Sequence, residues 1–182
     1  MPNIQCRTKD IHLKEYWSKH GEQEYRYMLS RFWDEANKIV TVIMCNPSDA
    51  SYLYEDKTVM NINNFFIKHG EYNRINVLNL FAYRNKNKFK SQLNKINKDY
   101  EAPNNLYIEN SIDEAELIVV AWGYGKEKWE NEYMKGRIKE VNEILKNSCK
   151  VVKCFTNKNG DLNLHPRNLN LDEWDLADYI LK

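Results

Sequence analysis

The chain has 182 residues and a formal net charge of +1, which suits one domain with a real core and excludes a generally cationic nucleic-acid binder while leaving a local basic patch open. Its apolar runs are strand length, too short for a membrane-spanning helix, and Met1-Pro2-Asn3-Ile4-Gln5-Cys6-Arg7 has no apolar signal region, so no membrane partner and a cytoplasmic location are expected. Cys6, Cys45, Cys149 and Cys154 form no Cys-x-x-Cys pair, and the expected state is free thiols in a reducing compartment, without zinc. Twelve Tyr and five Trp supply either core bulk or stacking platforms.

In chain order, residues 1–22 read as a polar, irregular segment with a short helix near 13–19. The alternation Tyr25, Tyr27, Leu29 predicts a half-exposed strand up to Trp33, turning into a buried strand at 39–45 and pairing with it. That run, Ile39-Val40-Thr41-Val42-Ile43-Met44-Cys45, stops at Asn46-Pro47-Ser48-Asp49. Pro47 cannot donate to a ladder and pushes Asn46 toward extended backbone, so a polar cluster is left at the strand's carboxyl end.

Asp56 is an N-cap for a helix with the stripe Val59, Ile62, Phe65 and Phe66, and Gly70 ends it. A second buried strand, 75–81, runs into Ala82-Tyr83-Arg84. Residues 85–102, rich in Asn and Lys, read as a solvated basic loop, and Pro103 opens a helix to about Ala115. A third strand at 117–121 ends in Trp122-Gly123-Tyr124-Gly125, and Trp129, Ile138, Val141, Ile144 and Leu145 mark a helix over 127–147. A fourth strand spans 150–155, a loop follows to His165-Pro166-Arg167-Asn168-Leu169, and Asp172 caps an expected last helix with Trp174, Ala177, Ile180 and Leu181.

Alternating strands and helices imply an α/β, three-layer sandwich on a mostly parallel four-stranded central sheet, with an N-terminal antiparallel strand added. The carboxyl ends of parallel strands share an edge, where ligands bind in open α/β sheets. That edge would receive Asn46, Pro47, Ser48 and Asp49, then Asn79 with Tyr83 and Arg84, then Trp122 and Gly123, and His165-Pro166 from the late loop. Each residue also has a plain reading: Asn46 and His165 as turn residues, Asn79 as a structural hydrogen bonder, and Arg84 as the partner of Asp49 or Asp56. Trp122 would fill the core, and Asp56 would act as a cap.

No phosphate-binding Gly-x-x-x-x-Gly-Lys-Ser/Thr loop, dinucleotide fingerprint or Gly-x-Ser-x-Gly elbow occurs, and four scattered histidines make no metal cluster. Neither a metal nor a cofactor is expected. Amides carry donor and acceptor together and suit a nucleobase edge. A histidine can stabilise negative charge developing on a leaving base, and an aromatic or Arg plane can stack on it.

The blocks Tyr25-Arg26-Tyr27-x-Leu29-x-Arg31-x-Trp33-Asp34, Met44 to Ala50, Asp56-x-Thr58, Val77 to Arg84, Ala121-Trp122-Gly123 and His165-Pro166 resemble a bacterial and phage family, the domain of unknown function numbered 1643. More distantly, the order Asn46-Pro47, Leu78-Asn79, Trp122-Gly123, His165-Pro166-x-x-Leu169 is similar to that of the uracil-DNA glycosylases. That second resemblance implies a uracil-DNA-glycosylase-like sheet and an N-glycosidase acting on a base or modified base in DNA, or on a nucleotide-like small molecule. Asn46 or Asp49 would place water, Asn79 and Arg84 would hold the base, and His165 would stabilise the departing base anion. Leu169, beside Arg167, would wedge into DNA.

Two departures stand out. Ser48-Asp49-Ala50 follows where those enzymes carry Gly and an aromatic, with Tyr52 or Tyr54 at longer spacing, and Arg167-Asn168 replaces a small Ser-Pro pair. The second reading is a non-catalytic binder of a nucleobase or nucleotide, in phage–host conflict.

Overall fold

The computed structural model describes residues 10–48, 50, 51, 53, 56–84, 93, 96–123 and 132–181. The strands are β1 (Ile11–His20), β2 (Gln23–Trp33), β3 (Ile39–Met44), β4 (Arg74–Asn79), β5 (Leu117–Val120), β6 (Val152–Thr156) and β7 (Asp175–Asp178). The helices are α1 (Lys57–His69), α2 (Lys98–Glu101), α3 (Pro103–Glu114) and α4 (Glu132–Ser148).

Among the described residues the strands form one mixed sheet in the order β1-β2-β4-β3-β5-β6-β7. Neighbours β4-β3, β3-β5 and β5-β6 are parallel, whereas β1-β2, β2-β4 and β6-β7 are antiparallel. The sheet is therefore not the expected mostly parallel four-stranded one with a single antiparallel addition: half of its pairings are antiparallel.

Three local differences explain this. The stretch expected as an irregular segment with a helix is β1, because Gly21, in the left-handed region at φ 61°, turns the chain at Gly21-Glu22 and pairs His20 with Gln23. The strand β2 does not pair with β3. It lies between β1 and β4, so most of it is buried rather than half-exposed. The expected last helix is instead β7, since the free edge of β6 offers unpaired N–H and C=O groups that a short polar strand completes.

Alternation along the central strands sorts side chains onto two faces. Val40, Val42, Met44, Ile75, Val77, Val119 and Phe155 pack under the α1 stripe of Val59, Ile62, Phe65 and Phe66. Ile43, Leu78, Ile118, Val120 and Cys154 pack with Ile108 and Ile112 of α3 and Val141 and Leu145 of α4. The outcome is three layers. α1 begins as expected, with Asp56 accepting from the Val59 N–H at 2.9 Å, and ends at Gly70 with φ 71°.

The chain leaves β3 by α1 toward β4, and leaves the adjoining β5 by α4 toward β6, on the opposite layer and in the opposite direction. Where the outgoing connections of two adjacent parallel strands part in this way, open α/β sheets place their ligands beyond the carboxyl ends. Residues 46–48 and 122–123 follow those two strands. No helix among the described residues is long and apolar enough to cross a membrane.

Phe65 carries the α1-side core, edge-on to Phe66 and Phe155 at 5.2 Å each. Phe65→Ala is expected to cost about 3–5 kcal/mol in a denaturant titration. Ile67→Ala, one turn position away and more than half exposed, should cost less than about 1 kcal/mol.

Candidate functional site

The loop after β3 is fastened from beneath by arginines of two other strands. Arg26 on β2 is fully buried, and its Nη1 donates to the carbonyls of Ala50 and, at 3.4 Å, of Ser48. Arg84, just past β4, donates from Nε to the Ser48 carbonyl at 3.0 Å, while its Nη1 pairs with Glu24. Arg31 on β2 donates to the Ser51 carbonyl at 3.3 Å. Arg84 thus pairs with Glu24, with Glu15 4.0 Å away.

Arg26 and Arg31 are five residues apart, a spacing that regular alternation sends to opposite faces. They share a face because Tyr16 pairs with Met28 while Trp17 pairs with Arg26, leaving Tyr27 as an extra, bulged residue. Burial and the neighbouring Arg84 lower the Arg26 pKa to about 10, with Arg31 adding to the effect and Glu15 and Asp56 opposing it.

Asn79 closes β4 on the α1 face, opposite Met44. Its backbone carbonyl accepts from Nδ2 of Asn104 at 3.1 Å, but its own amide is fully buried and neither Oδ1 nor Nδ2 has a partner among the described residues. An unsatisfied buried amide costs about 1–3 kcal/mol, which a ligand edge or a water would recover.

Past the end of β5, on the far side of β3 from β4, Gly123 has φ 77° and sits against His165: a Cβ there would lie 2.9 Å from the His165 Cβ. The small, left-handed residue is what admits the histidine loop to this edge. Nδ1 of His165 accepts from the Arg167 N–H at 3.2 Å, so in the neutral ring Nε2 carries the proton. Asn61 of α1 holds the same loop through the carbonyls of Pro166 and Arg167 at 2.8 and 3.2 Å.

The predicted site residues therefore fall into groups. Ser48 meets Arg84 and Gly123 meets His165, while Asn79 closes β4 on the α1 face. Asn46 is half-buried and turns its Nδ2 onto the Pro47 carbonyl at 3.3 Å, and Pro47 is buried. Tyr83 and Trp122 belong to the core on the other face, Tyr83 against Tyr25 and Trp122 edge-on to Tyr179. Arg167 is exposed, and Leu169 packs against the α1-side core. Asp49, Tyr52, Tyr54 and Trp129 lie outside the described residues, as does most of the expected basic loop at 85–102.

A second polar cluster sits at the carboxyl end of β4 on the opposite face. Glu101 of α2 accepts from the backbone N–H groups of Ala82 at 2.6 Å and Tyr83 at 3.2 Å. Arg137 of α4 donates to the Leu80 carbonyl and to Oδ1 of Asn105. Both line a hollow of about 460 Å³ together with Phe81 and Tyr133, whose rings stack 5.9 Å apart. Burial pushes the Glu101 carboxyl from 4.5 up to about 7, against the hydrogen bonds from Ala82 and Tyr83 and the Arg137 charge.

Arg26, Arg31, Glu101 and Arg137 escaped sequence reading. A charged residue within a strand or helix ordinarily marks the solvent side, and the bulge that reunites Arg26 with Arg31 leaves no mark in the spacing. Among the described residues no group of His, Cys, Asp and Glu is placed to hold a metal.

A family model described as "Protein of unknown function (DUF1643)" matches residues 26–167. No curated protein and no solved structure matches the chain.

Gly123→Ala should push His165 away and lower stability by about 1 kcal/mol or more, read by denaturant unfolding and by a shift of the His165 ring resonances. Glu101 gives a pH signature. The folded carboxyl keeps its proton to about pH 7 and the unfolded one releases it near 4.5, so between those values the folded state binds more protons and stability falls as pH rises. Glu101→Gln should remove that part of the slope in thermal unfolding followed across this window.

Proposed function

The chain belongs to the DUF1643 family, and we propose that its carboxyl-edge crevice is a nucleobase site working as an N-glycosidase of the uracil-DNA-glycosylase type, on DNA or on a nucleotide. The observation that carries this reading is Asn79, whose fully buried amide has both ends unpartnered among the described residues at the strand edge. An Asn side chain offers one donor and one acceptor in a plane, the pattern of a pyrimidine or purine edge. The order of the parallel strands, β4-β3-β5-β6, adds support by setting the end of β3, with Asn46, next to β4, and the end of β5 one strand further on.

In this reading the bond between the base nitrogen and C1′ of the sugar breaks first, and its electron pair leaves with the base. The protonated Nε2 of His165 donates to that developing anion. Water then adds to C1′ and gives its proton to solvent, placed by Asn46 rather than deprotonated by it, since an amide is no base. In duplex DNA the nucleotide has to leave the stack to enter. Arg84, fixed on Ser48 and Glu24, shapes the wall of the crevice.

The hydrogen bond from Asn46 to Pro47 and the engagement of Asp56 as a helix cap favour a second reading. It is a binder that holds a nucleobase or nucleotide without cleaving it.

Release of free base from uracil-containing, mismatched and hypermodified DNA, and from nucleotides, is measured by mass spectrometry. Release by the wild type that falls about 100-fold in His165→Ala and in Asn79→Ala supports the enzyme. Release unchanged in both variants overturns the role assignment. Intact ligand retained by the wild type and lost in Asn79→Ala identifies the binder.

A further inference from the structure

Arg26 has no exposed surface, yet among the described residues it spends only Nη1 on hydrogen bonds. Nε and Nη2 are buried and have no hydrogen-bond partner among the described residues. These two nitrogens lie on one edge of the planar guanidinium, and their parallel N–H groups match two oxygens of a single oxyanion. A bulky hydrocarbon neighbour could not satisfy that edge, and a buried guanidinium left half-solvated by nothing is costly.

The surroundings point the same way. Arg84 and Arg31 stand close enough to act on Arg26 as like charges, and the nearby acids Glu15 and Asp56 act in the opposite sense. Those acids have other work: Asp56 caps α1 through the Val59 N–H, and Glu15 lies 4.0 Å from Arg84. All three arginines donate to carbonyls of Ser48, Ala50 and Ser51, so their heads gather under one stretch of backbone. Glu24 and Glu15 answer Arg84, so the unmet demand is the two-donor edge of Arg26 itself, which an added oxyanion would satisfy.

We propose that Arg26, flanked by Arg31 and Arg84, forms an oxyanion site beneath the loop after β3, which takes the phosphoryl group of a small phosphorylated ligand. Depth favours a terminal phosphate over a polymer backbone: the Arg26 head has no surface that a duplex could lie against. The inference goes beyond the nucleobase reading and does not need it, because the phosphoryl group alone is recognised.

Inorganic phosphate is the first probe, followed in thermal unfolding and calorimetric titration of the full chain. A nucleoside 5′-monophosphate, the matching nucleoside and a single-stranded oligonucleotide form the other arms. Phosphate should raise the wild-type midpoint in a concentration-dependent way. Arg26→Lys keeps the charge and removes the two-nitrogen edge, so it should bind phosphate about tenfold more weakly or worse. Should that variant fail to fold, 15N NMR of the wild-type arginine Nε–H groups decides, since phosphate must shift the Arg26 resonance.

No response of the wild type to phosphate, or equal binding by Arg26→Lys, overturns the site. The monophosphate binding well above both phosphate and oligonucleotide supports a small ligand, while an oligonucleotide binding best overturns that choice of source. A nucleoside that binds where phosphate does not sinks this inference and leaves the nucleobase reading standing. Phosphate binding without any base release does the reverse.

Discussion

The constraint on which the carboxyl edge depends is a buried positive charge. Arg26 sits with no exposed surface between two other arginines, and its Nη1 holds the backbone at Ser48 and Ala50. A guanidinium in such a place needs acceptors from every direction, and the loop after β3 supplies them from above. The loop is therefore not free to take any course after Pro47. Its path is set by a strand two places away in the sheet.

Much of the rest follows from that arrangement. Arg26 can reach the loop because β2 lies antiparallel beside β4, which brings its amino-terminal part to the carboxyl end of that strand. The bulge at Tyr27 then turns Arg26 and Arg31 to one face. On the neighbouring strand ends, smallness does what charge does here: Gly123 leaves room for the His165 Cβ, and Asn61 ties the histidine loop to α1.

The two faces of the sheet carry different chemistry at this edge. The α1 face has arginines, an unpartnered amide and a histidine. The other has Glu101 and Arg137 fastening the turn after β4, with Tyr83 and Trp122 given over to packing. Trp122, a candidate stacking platform by sequence, is fully buried against Tyr179. Bulk at a strand end served the core before it served a site, as is usual for tryptophan.

The sequence by itself determined the four central strands, α1 with its Asp56 cap and Gly70 stop, the Pro103 start of α3, and which residues reach the strand ends. These signals are local: a β-branched run, a 3.6-residue stripe, a capping side chain and a ring without an N–H each act within a few residues. Only the tertiary structure decided the partners. Residues 11–20 and 175–178 are strands because edges of β2 and β6 were open to them, a fact no short window contains. Arg26 became a buried cation through a single bulged residue that reverses the face of everything on one side of it. Burial of charge is a property of neighbours distant in sequence, and the neighbours are chosen only when the sheet closes.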